Sequence, residues 1–133
     1  LTQFVKDMSS ETPNVETYLY VKEYLKNYNL NIDITTKPLK SRMIEINTKL
    51  CYIDKGKSKN KSHFEITYAS IIKIDEQIKD RKIIEKIILC DVQKEIYPNL
   101  EKVFINLLSN SGFPGIKFEK KVDFEQLYNQ RLN

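Results

Sequence analysis

Near the end of the chain, residues 111–132 read SGFPGIKFEKKVDFEQLYNQRL and combine turn residues, apolar residues and a helical pattern. Gly112, Pro114 and Gly115 cluster here in a chain that has three glycines in all, so the backbone needs a tight turn at this point. Asp123 has the short side chain that caps a helix, and apolar residues follow it at helical spacing: Phe124, Leu127, Tyr128 and Leu132. The stretch therefore predicts a turn, an extended apolar piece and a closing helix. Together they indicate a hydrophobic surface. The stretch contains no set of catalytic residues.

Length and composition indicate a single water-soluble domain. The chain has 133 residues, of which 41% are hydrophobic and 30% charged, as is usual for globular proteins. It contains no apolar run near the roughly 18 residues that a membrane span requires. The first residues, LTQFVKDM, lack the basic start and apolar core of a signal peptide, and Cys51 and Cys90 are the only cysteines. We therefore expect a reducing, cytoplasmic location.

The first third of the chain predicts two strands separated by an ambiguous segment. Residues 4–8 indicate an edge strand that runs into a loop before Pro13. Residues 15–28 suit either a loop or a weak helix, because apolar residues recur at helical spacing while the many tyrosines favour extended chain. From residue 30 the period changes to two until Pro38 interrupts it, which predicts a half-buried strand.

Two further strands follow with the same alternation. Residues 43–53 place Ile44, Ile46, Leu50 and Tyr52 on one face and polar residues on the other. After the turn at residues 54–62, the apolar residues again occupy even positions: Phe64, Ile66, Tyr68, Ile72 and Ile74. These two strands predict an antiparallel hairpin in a sheet that has one solvent-exposed face.

A long helix is predicted for residues 80–109, with a bend at Pro98. Apolar residues recur there at three- and four-residue steps, among them Ile84, Ile88, Leu100 and Phe104. At ~1.5 Å per residue this helix is longer than about 40 Å, so we expect part of it to pack on another subunit. The predicted fold class is thus α+β: a four-stranded antiparallel sheet with one long helix and a shorter C-terminal helix.

The sequence gives no warrant for enzyme activity, a metal or a cofactor. His63 is the only histidine, which excludes a multi-histidine metal site and favours an ordinary strand-end histidine. Cys51 and Cys90 lack CxxC spacing and are better interpreted as buried structural thiols. No phosphate loop, GxSxG motif or catalytic triad is present in the sequence.

Four motifs in order resemble the SecB family of protein-export chaperones. The opening VKDMS at residues 5–9, followed by Glu11 and Pro13-Asn14, resembles that family's KDxSxExPN opening. TYASIIKI at residues 67–74 resembles its YAGIFxI strand, and Tyr97-Pro98 stands where the family enters a helix with Phe-Pro. Residues 113–128 resemble its GFPPLxLxPxxFxxLY ending. The resemblance covers nearly the whole chain.

The resemblance implies a cytoplasmic holdase that needs no ATP of its own. SecB-like chaperones form homotetramers as dimers of dimers, bind unfolded precursor proteins along hydrophobic grooves and pass them to the SecA translocation ATPase. Asp7 and Glu11 match the acidic pair of the family's opening motif, and Glu65 matches an acidic residue on its third strand. Because the alternation places Glu65 on the wet face, we expect an exposed carboxylate there, available to a basic partner.

The client surface is also predicted from physical argument. An unfolded chain offers apolar segments and unpaired backbone, so its holder needs adaptable hydrophobic surface. The candidates flank the Pro38 crossover or lie in the closing stretch: Leu39, Met43, Phe113, Ile116, Phe118, Phe124, Leu127 and Tyr128. A core position is the alternative for most of them, and for Phe113 and Leu127 core and groove are about equally expected.

Two other functions stay open at this point. One is a SecB-like chaperone devoted to a single client, such as an antitoxin, without SecA docking. The other is a small basic nucleic-acid adaptor that uses Lys55, Lys57, Lys59 and Lys61, whose binding would weaken steeply with salt. These lysines have no interleaved aromatic residues, so a solvated hairpin tip is favoured and no nucleic-acid partner is expected.

Overall fold

The computed structural model describes residues 1–54, 56, 61–118 and 122–131. Its four strands are β1 (Thr2–Glu11), β2 (Tyr28–Pro38), β3 (Met43–Asp54) and β4 (His63–Lys73), and they form one antiparallel sheet in the order β1-β4-β3-β2. The helices are α1 (Val15–Glu23), α2 (Arg81–Lys86), α3 (Val92–Asn110) and α4 (Phe124–Arg131). The predicted α+β fold is confirmed.

One face of the sheet is buried under the helices, and the other is open. The even-numbered residues of β3 and β4 point into the core, where they include Ile46, Leu50, Phe64, Ile66 and Tyr68. The predicted hairpin between β3 and β4 is confirmed, with Met43 opposite Lys73 and Tyr52 opposite Phe64. Strands β1 and β2 lie at the two edges of the sheet.

A bulge in β1 decides which of its side chains face solvent. The register shifts between Val5, which lies opposite Tyr68, and Asp7, which lies opposite Thr67. Lys6 is the extra residue, and its ammonium group bonds the Glu45 carboxylate at 3.0 Å. Because one added residue reverses the alternation, the odd-numbered residues that follow lie on the open face. This places Asp7, Ser9 and Glu11 on the same face as Glu65.

The ambiguous segment at residues 15–28 is mostly helical. Asn14 caps α1, since its side-chain oxygen accepts hydrogen bonds from the Thr17 amide at 2.8 Å and the Thr17 hydroxyl at 2.7 Å. Val21 packs into the core from this helix. A short 3-10 helix, Leu25–Asn27, then leads into β2. The helical alternative therefore describes most of this segment.

The predicted long helix is present, but it contains a π-helical turn that was not predicted. Helix α2 continues into α3 through a π-helical turn, Ile87–Asp91, in which the Val92 amide bonds the Ile87 carbonyl. Pro98, where the bend was predicted, lies inside α3. The helical stretch from Arg81 to Asn110 extends about 45 Å at ~1.5 Å per residue. Within the described residues, none of the helices combines the length and apolar character needed to cross a membrane.

A buried polar pair ties this helix to the sheet. The Thr48 hydroxyl of β3 donates to the Gln93 side chain at 3.0 Å, and the Gln93 amide donates to the Ile88 carbonyl at 3.3 Å. Both side chains are fully buried. Since buried polar groups without partners are costly, this pair fixes the position of the π-helical turn over β3.

The turn after α3 is tight, as predicted. The Gly112 amide bonds the Ser109 carbonyl at 3.1 Å and the Phe113 amide bonds the Leu108 carbonyl at 3.0 Å, which is the Schellman arrangement at a helix end. Gly112 has a φ of +100°, and the Tyr18 hydroxyl donates to its carbonyl at 2.8 Å. A Cβ atom on Gly112 would lie 2.6 Å from the Tyr18 ring. The glycine is therefore required by both conformation and space.

The connection after Pro38 is a tight hairpin, so its interpretation as a crossover is wrong. Ser41 and Arg42 occupy the left-handed region, with φ of 61° and 59°. The Arg42 guanidinium stabilises this conformation by donating to three carbonyls just beyond β4, those of Ile74, Asp75 and Ile78. The hairpin is thus anchored to the segment that leads into α2.

Replacing Gly112 by alanine should destabilise the protein more than replacing Gly115. Both glycines have positive φ, but nothing lies within 4 Å of a Cβ on Gly115. We expect Gly115→Ala to cost about 1–2 kcal/mol from backbone strain and Gly112→Ala about 2–4 kcal/mol because the contact with Tyr18 adds to it. Urea denaturation measures both. Equal losses would contradict the proposed contact with Tyr18.

Candidate functional site

An apolar groove runs between the edge strand β2 and the closing stretch of the chain. Its narrow arm, of about 190 Å³, is lined by Ile32, Asp33, Ile34, Leu89, Phe124, Leu127 and Tyr128. Its wide arm has two parts of about 670 Å³ and 280 Å³, which share Leu25, Lys26, Tyr52 and Lys117. Ile32 lines both the narrow arm and the larger part of the wide arm. We call these arms together the β2 groove.

The β2 side of the groove follows from the position of this strand at the edge of the sheet. Tyr28, Leu30, Ile32 and Ile34 share the face that the sheet turns towards its core. Tyr28 is buried, but the three aliphatic residues that follow it are only half-buried. An edge strand has a neighbour on one side only, so its apolar face is less completely covered than that of β3. This leaves a strip of partly exposed apolar surface.

Helix α4 forms the opposite wall of the narrow arm. Asp123 caps this helix by accepting a hydrogen bond from the Gln126 amide at 3.0 Å, as the sequence predicts. Phe124 is 4% exposed and packs edge-on against Tyr97 at 5.4 Å. One turn further, Leu127 is 46% exposed and lines the groove. The helix is thus anchored by one apolar residue and presents another.

An ion pair also holds α4 against the long helix. The Lys94 ammonium donates to the Glu125 carboxylate at 2.7 Å. This hydrogen bond lowers the pKa of Glu125 and raises that of Lys94, so both groups stay charged at neutral pH. Both side chains are largely exposed, so the pair orients the helix more than it stabilises the fold.

Aromatic rings form the floor of the wide arm. Tyr52 packs against Tyr28 at 5.2 Å and edge-on against Phe118 at 5.7 Å, and Phe118 stacks on the buried Phe104 at 6.2 Å. Burial raises the pKa of both tyrosines, so both remain neutral phenols. The Tyr28 hydroxyl donates to the Ser62 carbonyl at 2.8 Å. The floor is therefore apolar and fixed in place.

The structure brings together five of the eight predicted client residues. Ile116, Phe118, Phe124, Leu127 and Tyr128 all line the β2 groove. Three others lie elsewhere: Phe113 is 3% exposed and packs against Phe64 in the core at 5.6 Å, while Leu39 and Met43 are half-buried at the ends of the hairpin after β2.

Several groove residues were absent from the predicted set. They come from β2, the segment before it, β3 and the π-helical turn: Leu25, Leu30, Ile32, Ile34, Tyr52 and Leu89. The alternation of residues 30–38 and 43–53 predicted strands with one buried face, and Leu30, Ile32, Ile34 and Tyr52 do lie on the face turned towards the core. The sequence carried no signal that β2 lies at an edge, and this position is what leaves Leu30, Ile32 and Ile34 only half-buried.

The predicted docking carboxylates share the open face of the sheet but differ in accessibility. Asp7 and Glu11 are exposed on β1, and Glu11 lies opposite His63. The Glu65 side chain is only 19% exposed because it pairs with Lys49 and with His63, whose Nε2 lies 3.0 Å away. The expectation of a freely exposed carboxylate at Glu65 is therefore wrong, although the face was predicted correctly.

The remaining candidate chemistry adds no second site in the part of the chain that the structure describes. Among the described residues, no group of three or more His, Cys, Asp or Glu side chains could hold a metal ion. Cys90 is a buried thiol, as predicted, whereas Cys51 is only half-buried. Three of the lysines considered for nucleic-acid binding, Lys55, Lys57 and Lys59, lie outside the described residues. Lys61 donates to the Asp54 carbonyl at 3.5 Å.

Known proteins of similar sequence are protein-export chaperones. The chain is 57% identical over 130 residues to the protein-export protein SecB of Pelagibacter ubique (strain HTCC1062). The alignment covers 98% of this chain and 93% of that relative. The chain is 26% identical over 131 residues to the protein-export protein SecB of Parvibaculum lavamentivorans, across 98% of this chain and 76% of that relative.

The fold is also found in a solved structure. The Mycobacterium tuberculosis SecB-like chaperone, in complex with a ChAD peptide from the HigA1 antitoxin, superposes with a TM-score of 0.65. The match covers 92% of this chain and 86% of that one at 8% identity, so it supports the fold alone. The family model described as preprotein translocase subunit SecB matches residues 1–133. The chain therefore belongs to the SecB family of protein-export chaperones.

Proposed function

We propose that this protein is a holdase that binds unfolded precursor proteins in the β2 groove and delivers them to SecA. The observation that carries the proposal is the half-buried apolar strip of β2, which faces the exposed side chain of Leu127 across an open groove. A monomeric globular protein rarely leaves such a surface without a partner. Because Ile32 lines both arms of the groove, one extended segment can lie along them.

The backbone of β2 supports the same proposal. Within the described residues no strand pairs with the outer side of β2, so its peptide groups there can bond to an added strand. Main-chain hydrogen bonds do not depend on the client sequence, and apolar pockets accept many side chains. Binding of this kind is passive and reversible, and it requires no nucleotide.

SecA docking is proposed for the open face of the sheet. Asp7 and Glu11 offer exposed carboxylates on β1, while Glu65 lies on the adjacent strand. Since Glu65 already pairs with Lys49 and His63, a basic partner must compete with these two groups for it. Asp7 and Glu11 therefore provide the first contact, and Glu65 contributes only when its internal pairs open.

A homotetramer, built as a dimer of dimers in the cytoplasm, completes the proposal. Strand β1 is an edge strand on which Phe4, Val5 and Met8 are exposed, together with Leu1 beside it. An apolar, unpaired edge is a site for association with another chain. The long helical stretch offers a second surface, where Ile83 is exposed.

A chaperone with one dedicated client is the second candidate. This candidate is kept because the fold is similar to that of a SecB-like chaperone solved with an antitoxin peptide. The two candidates differ in selectivity, because a groove for many clients must bind unrelated unfolded proteins. Retention of one protein only, in a tight complex that persists without SecA, would favour the dedicated chaperone.

Client retention should depend on Leu127. We expect Leu127→Asp to weaken binding of an unfolded precursor about tenfold or more, because a charge replaces apolar contact in the narrow arm. The measurement is the delay that the protein imposes on refolding of a slow-folding precursor. Leu19→Asp is the matched control, since Leu19 is 59% exposed on α1 and lines none of the described pockets. Equal effects of the two substitutions would contradict a role for the groove.

SecA docking should respond in opposite directions to two sets of substitutions. Asp7→Lys combined with Glu11→Lys should weaken SecA binding and leave client retention intact. Lys49→Gln should strengthen SecA binding a few-fold, because the substitution removes one of the two partners of the Glu65 carboxylate. Calorimetric titration with SecA measures both, and Glu16→Lys combined with Glu23→Lys on α1 is the control that changes net charge as much as the double variant on β1. Unchanged affinity in all variants would exclude this face as the docking site.

Assembly should be visible in the solution mass. We expect light scattering to give a tetramer at micromolar concentration, and Val5→Lys combined with Met8→Lys to give smaller species because they place charge on the β1 edge. Circular dichroism checks that the variant is folded. A strictly monomeric wild-type protein would contradict the proposed assembly.

A further inference from the structure

The wide arm of the β2 groove has an aromatic floor and a cationic rim. Its two parts share Lys26, from the 3-10 helix before β2, and Lys117, from the closing stretch. Both lysines are exposed, whereas the floor consists of Tyr28, Tyr52 and Phe118. A bound segment would therefore lie on apolar rings with two ammonium groups beside it.

The charge at this rim is one-sided. No carboxylate lines the wide arm among the described residues, and none of their ion pairs involves Lys26 or Lys117. By contrast, Lys6, Lys49 and Lys94 are each paired with a carboxylate elsewhere on the surface.

We propose that the wide arm selects apolar client segments that carry aspartate or glutamate side chains, which Lys26 and Lys117 attract while the apolar residues occupy the aromatic floor. This inference rests on the proposed function, since it assigns a preference to the groove that holds the client. Charge complementarity decides among segments of equal apolarity. The occupant is thus an extended, acidic-apolar segment of an unfolded protein.

The expected preference is modest, because both lysines are exposed. Two surface ion pairs change affinity by about three- to tenfold at low salt, and salt screens most of this difference. The contribution of the aromatic floor does not depend on salt in this way. The preference for acidic segments should therefore fade at high salt while binding itself persists.

Matched peptides test the proposal directly. Three acetylated and amidated peptides share one aromatic-aliphatic core and differ in a flanking pair of glutamate, glutamine or lysine residues. Fluorescence anisotropy should rank their affinities glutamate, glutamine, lysine at low salt. Lys26→Gln combined with Lys117→Gln should remove the ranking. Lys73→Gln combined with Lys79→Gln, at exposed positions that line none of the described pockets, changes net charge equally and should preserve it.

Each outcome bears on a different claim. Equal affinity for the glutamate and lysine peptides would overturn the inference and leave the proposed function standing, because the groove would still bind apolar segments. A ranking that survives in the Lys26 and Lys117 variant would also overturn it. If no peptide binds, whatever its charge, the proposed client groove fails and the inference fails with it.

Discussion

The hydrogen bond from the Tyr18 hydroxyl to the Gly112 carbonyl lies at the point where the long helix ends and the closing stretch begins. It joins α1 to a Schellman turn that needs a left-handed glycine, and the turn delivers Phe113 into the core beside Phe64. With Phe113 anchored, the residues that follow line the wide arm of the groove, where Lys117 and Phe118 share the space with Leu30 and Ile32 of β2. The width of the groove therefore depends on a contact that lies outside it.

The open face of the sheet and the wide arm of the groove differ in their electrostatics. On the open face of the sheet, carboxylates and lysines pair with one another, as Glu65 does with Lys49 and Glu45 with Lys6. At the wide arm of the groove, Lys26 and Lys117 line the same space as the aromatic rings, and no carboxylate lines it among the described residues. The net charge of +4 is thus unevenly distributed, and its effect on partners differs between the two surfaces.

Local sequence pattern predicted the elements well, because alternation and capping act over a few residues. The strand β3, the Asp123 cap and the turn at Gly112 are examples. The features that it missed depend on distant parts of the chain. Ile32 is partly exposed because no described strand pairs with the outer side of β2. The Glu65 carboxylate is shielded by Lys49, which comes from another strand. Phe113 and Leu127 are both apolar residues of the closing stretch, yet only three-dimensional packing separates the buried one from the exposed one.

Hydrogen exchange along β2 tests whether an extended client occupies the groove beside this strand. Exchange of the β2 backbone amides is compared in the free protein and in its complex with an unfolded precursor. The client should slow exchange in β2 and in α4, because it covers the backbone of β2 and the exposed side chain of Leu127. Unchanged exchange along β2 while the client remains bound would contradict this placement of the client.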